Sequence, residues 1–267
     1  MEKDSKVKVA RFGIASKGVV YSIAAILTIM AASGLGGEVS SLKDVFKFIQ
    51  DQVFGQVLLS VLTLGLTCYV FWRFYQAIAD PEDKQNNDNG TLKRIAYAIS
   101  GITYGILTYS AIELLISSGS SGGGSSKKSM VATILAEPMG RWIVGLLALF
   151  LVAKAIYQLY RAYSGKFKEK IGRTGLDARA RKIMLKTGKV GYTARGLVMA
   201  VISFFFFRAA FTANASKVGG TEKALEFIQS QSEWGTIVLA IVAFGLLLYG
   251  IFMFVKARYR KMGAVSM

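Results

Sequence analysis

Apolar positions in this chain gather into six long stretches, roughly 13–32, 53–78, 95–116, 139–160, 190–211 and 234–255, each broken by at most two charges. Each approaches or exceeds the ~20 residues that a helix needs to cross a hydrocarbon core of ~30 Å. Six membrane-spanning helices are predicted. Between the members of each pair lies a polar loop and then a short amphipathic stretch: SSLKDVFKFIQDQ, KKSMVATILAE and TEKALEFIQSQSE. In the first, Leu42, Val45, Phe46 and Ile49 recur at helical spacing, and in the third Ala224, Leu225, Phe227 and Ile228 do much the same. Such a pattern predicts a helix lying at the membrane interface with its apolar face down.

The three pairs are copies of one unit. ARFGIASKGVVY, RIAYAISGITYG and KVGYTARGLVMA align on Gly18, Gly101 and Gly196, while VFGQVLL, PMGRWIV and EWGTIVL align on Gly55, Gly140 and Gly235. Gly18 and Gly55 are 37 residues apart; the other two pairs are each 39 apart. A near-constant separation of this length marks a repeated supersecondary unit. The expected fold is therefore an all-α membrane protein of six spans, built as three tandem helical hairpins around a pseudo-threefold axis. Its units are 10–80, 93–163 and 185–260, with a basic linker at 164–184. Small residues let helices approach closely where lipid supplies no hydrophobic drive for pairing. Gly18, Gly55, Gly101, Gly105, Gly140, Gly196 and Gly235 are accordingly the expected helix-packing positions. Pro138 suits the first turn of the fourth span, and the Ser/Gly-rich tract Ser117–Ser129 reads as an outer loop.

The GxxSKGxxY pattern of Gly13 to Tyr21, its echoes at Tyr97 to Tyr104 and Gly191 to Met199, and the FG, MG or WG opening of each second helix carry a resemblance. From Ala10 to about Arg260 the chain resembles the domain-of-unknown-function 1206 family, bacterial membrane proteins with three two-helix units. The pattern is altered at Ser100, where the other copies have Lys17 and Arg195, and at Met199, where they have Tyr21 and Tyr104. The resemblance implies architecture and lends no catalytic residue.

Charge adds orientation. The chain is 53% hydrophobic with a net charge of +17 and positive mean hydropathy. Most of its 33 Lys and Arg fall in the N-terminal segment through Lys17, the Arg73–Arg94 linker, the Arg161–Arg195 region and the tail from Lys256. The positive-inside rule then puts both termini in the cytoplasm and the protein in the bacterial inner membrane. The basic face is expected to attract anionic lipid headgroups. Arg179, Arg181 and Lys182 suggest a short surface helix. No stacking aromatics are interleaved with these charges, so nucleic acid is not an expected partner. The first apolar stretch runs into a complete repeat, so no cleaved leader is expected. Cys68 is alone and excludes an intramolecular disulfide. Aromatics near the terminal ends of the spans, Tyr249 and Phe252 among them, read as interface anchors or packing.

The chain has no histidine. This removes His-ligated haem, most zinc sites and His-dependent nucleophile systems; no phosphate-binding glycine loop appears either. No metal, no cofactor and no enzymatic activity are expected. Charges within spans are costly and so default to functional candidates. Glu113 and Arg208 lie at equivalent depths, where opposite charges could pair across the axis or instead reach the outer interface. Lys154 is deeper, at the place held by Tyr69 and Tyr249 in the other units. The trio supports a small-solute or ion channel or permease with a central cavity. A non-transporting scaffold, lipid-organising or envelope-stress component fits the basic face and amphipathic stretches.

Overall fold

A computed structural model describes residues 3–35, 42–79, 90–116, 132–137, 139–164, 178–230 and 234–259. Its elements are α1 (Lys3–Ala32), α2 (Asp44–Gln50), α3 (Gly55–Ile78), α4 (Gly90–Ile116), a single turn α5 (132–136), α6 (Gly140–Tyr163), α7 (Ala178–Thr212), a 3-10 turn (Ala215–Lys217), α8 (Thr221–Ser230) and α9 (Gly235–Arg258). Among the described residues every regular element is helical, as lipid requires of a backbone that must satisfy its own hydrogen bonds. Six helices, α1, α3, α4, α6, α7 and α9, are long and apolar enough to cross a membrane. The protein is an all-α membrane protein, and each repeat reads long helix, short helix, long helix.

Arg179, Arg181 and Lys182 do not form a separate surface helix. They begin α7, whose 35 residues extend ~52 Å, so its first turns project beyond the bilayer core on the side where α1 begins and α9 ends. Pro138, the tract Ser117–Ser129 and most of the linker 164–184 lie outside the described residues.

Each short helix is seated by its apolar face: α2 buries Val45, Phe46 and Ile49, and α8 buries Ala224 and Leu225. The chain then turns sharply into the next span at Gly55, Gly140 and Gly235. A Cβ at these positions would strike the carbonyl oxygens of Gln50, Ile134 and Gln229. These glycines therefore form the joint between short helix and span, where close approach of the backbone to itself leaves no space for a side chain, rather than a contact between two spans. The first-helix glycines do meet other spans. A Cβ on Gly18 would lie 3.2 Å from the Gly250 carbonyl, one on Gly101 3.2 Å from the Phe74 ring, and one on Gly196 3.0 Å from Leu159. At Gly105 the nearest such atom, on Val70, is 4.0 Å away.

The spans form a ring in chain order. α1 packs on α3, α3 on α4, α6 on α7, α7 on α9, and α9 returns to α1. The junction of α4 with α6, inside the second hairpin, has no comparable contact, and these two are the least buried of the six spans.

The repeat register explains the gap. In the first hairpin Gly13 lies against the Tyr69 backbone, where a Cβ would come within 2.6 Å of its Cα, and Gly65 lies against Ser16. In the third, Gly191 meets the Tyr249 backbone with the same 2.6 Å separation, and Gly245 meets Ala194 at 2.5 Å. The second hairpin carries Ala96 and Phe150 in these two columns. Neither leaves the space that the close crossing uses.

Candidate functional site

The three charges singled out from sequence fall in different surroundings. Glu113 is exposed in the last turn of α4, and Arg208 is exposed near the end of α7. They do not form a pair with each other. The charge of Glu113 acts on Lys43, beside α2, where burial pulls the ammonium below its ordinary value against the opposing pull of Glu113 and Asp44. Lys154 sits in the middle of α6, half-buried, within Coulombic reach of Lys17, Arg73 and Arg195.

Lys154 thus belongs to a cluster centred on Lys17, which is 3% exposed. The Lys17 ammonium donates to Tyr69 Oη at 3.2 Å and lies 4.5, 5.1, 5.6 and 5.8 Å from the ring centroids of Tyr104, Tyr69, Tyr249 and Tyr21. Those rings brace one another edge to face: Tyr21 on Tyr249 at 5.0 Å and Tyr69 on Tyr104 at 4.8 Å, with the Tyr104 and Tyr21 hydroxyls hydrogen-bonded at 3.2 Å. The aromatic cage is made by α1, α3, α4 and α9. Tyr249, read from sequence as an interface anchor or packing residue, is one of its walls.

Three guanidinium groups surround this cage. Arg195 on α7 donates to Tyr249 Oη and stands 5.3 Å from the Tyr21 ring. Arg73 on α3 donates through Nε to Tyr69 Oη at 2.8 Å and through Nη1 to Gln76 Oε1 at 3.0 Å. Arg161 on α6 lies 4.8 Å from the Tyr192 ring. Arg73, Arg161, Arg195 and Lys154 are all enclosed by protein yet each keeps part of its surface open.

Among the described residues, the ionisable groups that act most strongly on Lys17, Arg73, Lys154, Arg161 and Arg195 are tyrosines and other cations. Within the six spans the one acid is Glu113, at the far end of α4. Removing an ion from water costs several kcal/mol even after relaxation, whereas an aromatic face returns ~0.5–2 kcal/mol. The phenol oxygens and ring faces therefore offset only part of the cost. What remains is a site of concentrated positive charge that favours an anion. Among the described residues no three of His, Cys, Asp and Glu come together as metal ligands.

Counting Lys17, Arg73, Arg161 and Arg195 with the charges that orient the chain hid this cluster. The repeat register reveals it. The column before the first glycine holds Lys17, Ser100 and Arg195, and the column fourteen residues after the second holds Tyr69, Lys154 and Tyr249. Each unit supplies one cation near this level: from its first helix in units one and three, from its second helix in unit two. Arg73, Arg161 and Lys256, again one per unit, follow one to two turns nearer the chain ends.

Against known families, residues 12–80, 95–165 and 190–260 each match the model described as Domain of Unknown Function (DUF1206). The chain is similar to an uncharacterised protein of Bacillus subtilis (strain 168), YxxB, with 28% identity over 252 residues, covering 94% of this chain and 90% of that one. No solved structure matches.

Proposed function

The chain belongs to the DUF1206 family, and from that premise we propose that it is a channel or permease for small anionic solutes, with the cation and tyrosine cluster as its seat. One observation carries this reading: Lys17, Arg73, Lys154, Arg161 and Arg195 gather around the buried tyrosines, while the one carboxylate within the six spans, Glu113, lies at the far end of α4. A purely structural buried cation is ordinarily paired, because leaving it unpaired costs several kcal/mol. A passing anion supplies the missing charge, and the phenol hydroxyls around it supply further donors. Bound too strongly, an anion would not leave; partial offset by tyrosine keeps such a site within a working range.

The same reading sets the protein in a bacterial cytoplasmic membrane with both termini in the cytoplasm, following the excess of Lys and Arg on that side. There the basic face concentrates small anions and anionic headgroups near the cation cluster. No covalent step is assigned to any residue.

Flux measurements on the full chain in neutral-lipid liposomes test the proposal, using chloride, nitrate, phosphate and short carboxylates against potassium and sodium. Anion flux above that of empty liposomes, reduced at least tenfold by Lys17→Met and by Arg195→Gln, is the expected result. Cation flux, or anion flux indifferent to both substitutions, would overturn it.

A further inference from the structure

We infer that the gap between α4 and α6 is a lateral portal through which the phosphoryl headgroup of an anionic lipid reaches the cation cluster, a reading that rests on the anion seat proposed above. The ring of spans is interrupted once, and the interruption is written in the sequence. Two hairpins close through Gly13 on Tyr69 with Gly65 on Ser16, and through Gly191 on Tyr249 with Gly245 on Ala194; Ala96 and Phe150 occupy the corresponding columns of the hairpin that stays apart.

Cations lie on one of the two spans that bound it. α6 forms one side of it and carries both Arg161, two residues from the helix end, and Lys154, seven residues deeper. At 1.5 Å per residue these lie ~10 Å apart along the helix, a descent from headgroup level toward Lys17. A soluble anion can follow an aqueous route and needs no opening to hydrocarbon. A molecule with a charged head and an apolar tail does need one, because its tail must stay in lipid while its head moves inward. Guanidinium groups pair with phosphoryl oxygens in bidentate fashion, and two of them, Arg161 and Arg195, flank Lys154. A phosphoryl group is also available as free phosphate, so the two sources are tested separately.

The full chain in nanodiscs of phosphatidylcholine doped with phosphatidic acid is examined by native mass spectrometry, with inorganic phosphate titrated calorimetrically as a second arm. Phosphatidic acid should be retained at least tenfold over phosphatidylcholine, and Lys154→Met and Arg161→Gln should each cut that preference at least fivefold. Ala96→Gly combined with Phe150→Gly, which restores the closing pattern, should lower lipid retention while inorganic phosphate binding persists. Should this double variant fail to fold, the two α6 substitutions still decide. Phosphate binding without lipid preference overturns the portal and leaves the anion seat standing. Lipid preference unchanged by the α6 substitutions means binding to the outer basic surface and also overturns it. Binding of neither removes both.

Discussion

Gly191→Ala and Gly145→Ala are the same chemical change in two spans, and the structure assigns them opposite signs. A Cβ on Gly191 would sit 2.6 Å from Tyr249 Cα and 2.7 Å from its nitrogen, so α7 and α9 must separate by about 1 Å to restore ordinary contact. The obstacle is backbone and cannot rotate away, which places the cost in the upper part of the ~1–3 kcal/mol range for overpacking. Better helix propensity returns ~1 kcal/mol, leaving a net loss of about 1–2 kcal/mol. At Gly145 a Cβ meets nothing within 4 Å, so only the propensity gain of ~1 kcal/mol remains. Reversible unfolding in mixed micelles titrated with dodecyl sulfate reads the difference of about 2–3 kcal/mol. Gly191→Ala should also weaken anion binding, because Arg195 is one turn along and bonds the tyrosine that is displaced. If both variants shift stability in the same direction, the account of how α7 and α9 close is wrong.

Ala213 holds a left-handed φ of 48° after α7, a conformation costing non-glycine residues roughly 1–2 kcal/mol, so Ala213→Gly should stabilise by up to about 1 kcal/mol in the same assay. Tyr69→Phe removes the acceptor shared by Lys17 and Arg73 and should cost about 1.5–3 kcal/mol, the range for hydrogen bonds to charged groups, with Tyr109→Phe, an exposed phenol, as the unaffected comparison. Glu113→Gln and Arg208→Gln alter exposed helix ends and should each stay within about 0.5 kcal/mol of the parent.

The six spans were legible because hydropathy alone decides helix formation in lipid, and the tandem units because the interval from Gly18 to Gly55 recurs almost unchanged from Gly101 to Gly140 and from Gly196 to Gly235. Lys154 was visible as a cation in a tyrosine column. Lys17, Arg73, Arg161 and Arg195 were not, since a charge within the outer turns of a helix that spans resembles the flanking charges that orient it; depth is a property of the assembled ring. The roles of Gly55, Gly140 and Gly235 were obscured for a related reason. A glycine at a helix start serves equally a crossing or a sharp joint, and only the position of the preceding carbonyl separates the two. Ala96 and Phe150 carried the gap openly, but they gain meaning once Gly13 and Gly65 are seen to touch their partners.

A ring of three equal hairpins would present the same face to its surroundings every third of a turn. The unclosed second hairpin removes that equivalence and gives each molecule one bearing in the plane of the membrane. Self-association through that bearing would be of the isologous kind, which closes at two copies and does not propagate. Divergence at two columns of a single repeat thus gives an otherwise threefold-repeated object one side unlike the other two.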